Sequence, residues 1–79
     1  GSQGEETRTI RVEFMVPDEF DTEDSIRVEF VMDGNVVATQ YYSGSDAMVG
    51  YDFSGKPGTG ATVYARINGV ATDSQVISF

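Results

Sequence analysis

The chain has 79 residues, with 13 acidic residues against 5 basic ones, a formal net charge of -8, and 39% hydrophobic residues. That is enough apolar material for one small core and one domain. Histidine, cysteine and tryptophan are all absent, which removes disulfides, thiol nucleophiles, the common zinc ligands and the usual general base. Four arginines and one lysine among so many carboxylates argue against nucleic acid as a partner, because phosphate neutralisation dominates that affinity.

Leucine is absent, whereas Val occurs ten times, Thr seven, Phe five, Tyr four and Ile four. These residues favour a pleated surface, and no segment repeats apolar residues at helical spacing. The composition predicts an all-β chain. No apolar run reaches the roughly 18 residues a membrane span requires, and the acidic balance disfavours anionic membranes.

Residues 1–8, opening Gly1-Ser2-Gln3-Gly4-Glu5-Glu6, read as a disordered polar leader with a cloning scar, so the domain is expected over 9–79. The first strand is predicted at Thr9–Val16, with Ile10, Val12, Phe14 and Val16 on one face, and Pro17 stops it. Asp18 to Asp24 form an acidic loop, expected to be a solvated linker. The second strand, Ser25–Met32, turns Ile26, Val28, Phe30 and Met32 inward. Asp33-Gly34-Asn35 is a tight hairpin turn. The third strand, Val36–Tyr42, is expected to turn Val37, Thr39 and Tyr41 to the core and Val36, Ala38, Gln40 and Tyr42 away.

The fourth strand runs from about Met48 to Phe53, with Val49, Tyr51 and Phe53 inward. The run Ser54-Gly55-Lys56-Pro57-Gly58-Thr59-Gly60 is dense in turn residues and should carry the chain between layers. The fifth strand, Ala61–Ile67, turns Val63, Ala65 and Ile67 inward and Thr62, Tyr64 and Arg66 out. Asn68-Gly69 is a strong hairpin signal. It conflicts with the last strand, since a two-residue turn there would push Ile77 and Phe79 to the outside. A bulge near Asp73-Ser74, or a longer loop, restores their phase, and the paired part is expected at Gln75–Phe79.

The pentapeptide Ile-Arg-Val-Glu-Phe occurs at 10–14 and again at 26–30. As antiparallel neighbours the two copies would set Arg11 against Glu29 and Glu13 against Arg27. As members of opposite sheets they would face each other across a core.

From residue 9 on, the order of strands and the corner Ser54-Gly55-Lys56-Pro57-Gly58-Thr59 leading into Thr62-Val63-Tyr64-Ala65-Arg66 resemble a fibronectin type III domain. The resemblance implies a small immunoglobulin-like Greek-key β-sandwich of six to seven antiparallel strands. Phe14 stands where the family carries its core tryptophan, Ala61 where it carries a tyrosine, and the polar residues 1–8 supply no first strand. A β-meander or small barrel is the alternative architecture.

No catalytic constellation emerges, and no cofactor or metal is expected. Asp18, Glu19, Asp21, Glu23 and Asp24 are suitable oxygen donors but lack the glycine-bearing spacing of a calcium loop. Gly55-Lys56-Pro57-Gly58-Thr59-Gly60 lacks the ending and the helix of a phosphate loop. The outward residues Arg27, Glu29, Val31, Tyr42, Tyr64 and Arg66 form the candidate binding face, because Tyr and Arg are favoured at binding hot spots. The expected function is a non-catalytic interaction or spacer module of a larger extracellular or secreted protein, or a standalone binding scaffold. Its partner would be protein or carbohydrate, and it would be a monomer or make an interdomain contact. The alternative is a designed or engineered β-sandwich with no natural activity.

Overall fold

The computed structural model describes residues 6–79, so the leader expected at 1–8 lies largely outside the described residues. Among the described residues seven strands succeed one another: β1 Arg8–Met15, β2 Ile26–Met32, β3 Asn35–Tyr42, β4 Met48–Gly55, β5 Gly60–Ile67, β6 Val70–Ala71 and β7 Gln75–Ser78. They form two antiparallel sheets. One contains only β1 and β4, and the other runs β3-β2-β5 with both β6 and β7 paired to β5. The two copies of the pentapeptide therefore lie in opposite sheets, and the Arg11–Glu29 and Glu13–Arg27 pairing does not form. β1 pairs instead with β4, setting Arg11 against Asp52 and Glu13 against Gly50.

Alternation explains the core. Val12, Phe14 and Val16 from the β1 segment meet Val49 and Phe53 of β4. Both sets pack on Ile26, Val28 and Phe30 of β2 and Ala61, Val63, Ala65 and Ile67 of β5. Four aromatic rings tie the layers together. Phe14 and Phe30 lie 6.1 Å apart between centroids, Tyr51 stacks on Phe30 at 4.9 Å, and Phe53 meets Tyr51 edge-on at 5.0 Å. Such pairs add about 0.5–1.5 kcal/mol each beyond the area they bury.

Both hairpin turns have the geometry their residues favour. Asp33 and Gly34 adopt φ of 51° and 83°, and Asn68 and Gly69 adopt 49° and 86°. Two successive positive φ values match the twist of the flanking strands. The Gly55–Gly60 corner carries the chain from one sheet to the other between β4 and β5.

β3 departs from its expected facing. The register places Ala38 opposite Phe30 but Val36 opposite Val31, so Val37 is an extra residue in a bulge. One extra residue reverses every facing beyond it. Ala38 and Tyr42 consequently pack against the core, while Thr39 and Tyr41 are exposed. At the C-terminal end the expected bulge is present. β6 pairs Ile67 with Val70, the register then shifts by one, and Ile77 lands opposite Ala61. Ile77 and Phe79 both join the core side.

The acidic loop is more than a solvated linker. Asp18–Phe20 form a single 3₁₀ turn, and Phe20 packs against the core. The Gly44 amide donates to the Glu23 carbonyl at 3.0 Å, and a Cβ at Gly44 would collide with the carbonyl oxygens of Phe20 and Glu23. Glycine is thus needed at 44 for close backbone approach.

Candidate functional site

The candidate face is the outer side of the five-stranded sheet. Its rows come from the register. Arg27 lies opposite Tyr41, Glu29 sits between Thr39 and Arg66, Val31 between Val36 and Tyr64, and Thr62 opposite Val76. Arg27, Glu29, Val31, Tyr64 and Arg66 thus share one face as expected. Tyr42 does not. The bulge turns it inward, where its phenol donates to the Gln40 side-chain oxygen and, at 3.5 Å, to the Gly50 carbonyl. Tyr41 takes the outward position and is 68% exposed.

Val31 also differs from expectation. It belongs to the outer face by register yet is only 1% exposed, because it is the middle residue of a row flanked by Val36 and Tyr64. It acts as the floor of the face rather than as a contact. The reachable apolar groups are Tyr41, Val36 and, at 81% exposure, Val76. Alternation misses Tyr41 because it lies beyond the bulge at Val37.

Charge on this face is mostly self-paired. Arg66 Nε approaches Glu29 Oε1 at 3.5 Å and is itself buried without a hydrogen-bond partner among the described residues. The pair therefore holds the centre of the face, and Arg27 is its exposed cation. The Arg27 backbone amide is secured by the Asn68 side-chain oxygen at 2.9 Å, which ties the face to the β5–β6 turn. An exposed tyrosine beside an exposed arginine offers a flat aromatic surface and a fork of donors. Chemically, that set can stack on a flat surface and hydrogen-bond to carboxylate, carbonyl or hydroxyl groups.

The opposite outer face, on β1 and β4, is narrower. Arg11 bridges to Asp52 at 3.3 Å, its guanidinium lies against Gly50, and Met15 faces Met48 with both exposed. Among the described residues no group of three or more carboxylates is gathered to hold a metal, and no helix is long and apolar enough to cross a membrane.

The burial of Tyr42 raises its pKa above 10.0; the Arg11 charge opposes that shift and the Asp46 charge adds to it. No family model matches the chain, and neither a curated protein nor a solved structure matches it.

Proposed function

We propose that this chain is a non-catalytic interaction module of a larger extracellular protein, built as an immunoglobulin-like sandwich and binding protein or carbohydrate through the outer face of its five-stranded sheet. The observation that carries this reading is the composition of that face: exposed Tyr41, Val36 and Val76 around the Arg27, Glu29 and Arg66 charges. Tyrosine and arginine contribute much of the energy at binding surfaces, and a rigid sheet presents them at little entropic cost. The Ser54–Gly60 crossing between sheets supports the immunoglobulin-like assignment. A designed sandwich is the second reading, favoured by the repeated pentapeptide and by two hairpins with the same ideal turn geometry.

The test is a screen of the domain against arrays of glycans and extracellular proteins, repeated with Tyr41→Ser and Tyr64→Ser combined. A ligand lost by the double variant, at unchanged melting temperature, supports the reading. A ligand retained by it places recognition elsewhere. Turnover above background in an esterase, glycosidase and phosphatase panel would overturn the non-catalytic assignment.

A further inference from the structure

We propose that Asn68 is a deamidation site whose reactivity the fold controls. The folded β5–β6 turn holds Asn68 unreacted, and conversion to isoaspartate during an opening of that turn permanently releases it from β2. The inference concerns a hairpin turn and holds whatever the outer face binds.

The two hairpin turns of the five-stranded sheet occupy equivalent places at opposite ends of the β2–β5 ladder. That ladder runs from Val28 opposite Ile67 to Met32 opposite Val63, and each turn adds one pair beyond it. The Asn68 amide donates to the Arg27 carbonyl at 2.9 Å, and the Arg27 amide donates to Asn68 Oδ1 at 2.9 Å. The Asp33 amide donates to the Thr62 carbonyl at 2.8 Å, and the Thr62 amide donates to Asp33 Oδ1 at 3.0 Å. In a regular antiparallel pair both acceptors are main-chain carbonyls. Here the left-handed φ of 49° at Asn68 and 51° at Asp33 turns each residue's own carbonyl off the ladder, and the side-chain oxygen replaces it.

Asn68 precedes Gly69, and this dipeptide carries the chemistry. The Gly69 main-chain nitrogen attacks Asn68 Cγ. An N–Cγ bond forms, the Cγ–Nδ2 bond breaks, and ammonia leaves with the proton that Gly69 gives up. Water then opens the succinimide and is the only co-reactant. Opening at Cγ yields aspartate, and opening at the main-chain carbonyl yields isoaspartate, whose main chain runs through Cβ and Cγ. Glycine leaves its nitrogen uncrowded, whereas Asn35 lies in β3 and precedes the β-branched Val36. Asp33 also precedes a glycine, but an ionised carboxylate is a poor target for a nucleophile. Asn68 is exposed, and a Cβ at Gly69 would meet nothing within 4 Å, so water reaches the crest of the turn freely.

The turn itself supplies the control. Ring closure needs the Gly69 nitrogen beside Cγ. In a two-residue turn with positive φ at both central residues, that nitrogen lies across the Cα–C bond from Cβ. The Arg27 amide also holds the Asn68 side chain toward β2. Both constraints must be released before the ring closes, so the reactive state is an opened turn. The two products then differ. Aspartate at 68 can hold β2 as Asp33 holds β5 at the other end. Isoaspartate lengthens the main chain of a two-residue turn by one methylene, so Ile67 and Val70 lose their register and the Arg27 amide loses its acceptor. β6 pairs through only Val70 and Ala71, which is too little to restore the turn.

The test ages the intact wild-type chain at mildly alkaline pH, with the same chain unfolded in urea as reference, and locates deamidation by peptide mass mapping. Asn68 should convert first in both, at least about tenfold more slowly in the folded chain. The isoaspartate form, isolated by chromatography, should exchange its Arg27 amide at least about tenfold faster than the unaged protein. Asn68→Asp should leave that exchange within about twofold of wild type. Equal rates in folded and unfolded chains, earlier conversion of Asn35, an unchanged Arg27 amide in the isoaspartate form, or an unprotected one in Asn68→Asp would each overturn the proposal.

Discussion

The same five residues, Ile-Arg-Val-Glu-Phe, occupy two different places in this fold. In β1 they run along the margin of a two-stranded sheet, and in β2 they run through a five-stranded one between β3 and β5. Side-chain facing is identical in both: Ile, Val and Phe turn inward, Arg and Glu outward. The degree of burial is not. Ile26, Val28 and Phe30 are completely buried, whereas Ile10 is half-buried and Val12 and Phe14 retain a little exposure. Alternation decides which way a residue points, and the number of neighbouring strands decides how much energy depends on it.

Equivalent substitutions in the two copies measure that difference. The largest effect is expected from Phe30→Ala, at about 3–5 kcal/mol, a large share of the stability of an uncross-linked domain this small. Phe14→Ala should cost about 1 kcal/mol less, because Phe30 is fully enclosed and stacked on Tyr51. Urea midpoints of the two variants decide it, and a greater loss for Phe14→Ala would reverse the ranking of the two sheets.

The isoleucines come after both phenylalanines, Ile26→Val at about 1 kcal/mol and Ile10→Val at about half that or less. Next come the acids. Glu29→Gln weakens the ion pair of the buried Arg66 Nε and should cost about 0.5–1 kcal/mol, whereas Glu13 lies opposite Gly50 and Glu13→Gln should be near neutral. Equal melting temperatures for the two Gln variants would show that the Arg66 pair is screened by solvent.

The smallest effect appears only at high pH. Ile26 pairs with Tyr42, and Ile10 with Phe53, which does not titrate. Burial raises the Tyr42 pKa above 10.0, so the folded state holds that proton more tightly than the unfolded state does. The resulting stabilisation is fully present below pH 10 and is lost as pH rises through the folded-state value. Tyr42→Phe should flatten that part of the alkaline melting profile, and an unchanged profile would mean that Tyr42 is effectively solvated.

Four of the strands whose facing is legible in the sequence gain no extra residue as they run through the two-layer core. β1, β2, β4 and β5 alternate strictly, so period two locates Phe14, Phe30, Phe53 and Val63 correctly. β3 cannot be read this way. Its composition is apolar on both faces, and the bulge at Val37 that selects between them depends on a register no single strand encodes. Thus alternation predicts Tyr42 outside, and Tyr41 is found there. β7 is legible because its two apolar residues, Ile77 and Phe79, conflict with the Asn68-Gly69 turn and so require a shift. Phe20 is hidden among five carboxylates, and its docking depends on the glycine at 44, some two dozen residues away. The outer face is readable as a set of residue types, but burial of Val31 depends on having Val36 and Tyr64 on either side of it.

One copy of the pentapeptide sits at an edge and its twin in the interior of a sheet, and amide exchange reads this directly. Residues 11–14 and 27–30 have the same sequence and the same preceding residue, so their unprotected exchange rates are nearly equal. The Glu29 amide addresses β5, in phase with the Asn68 amide that donates to the Arg27 carbonyl, and the Glu13 amide addresses the open side. In the free protein Glu13 should exchange at least about a hundredfold faster than Glu29, while Val12 and Phe14 are protected like Val28 and Phe30. Equal protection of Glu13 and Glu29 would contradict the open edge of β1, and with it the contrast between the two copies of the pentapeptide.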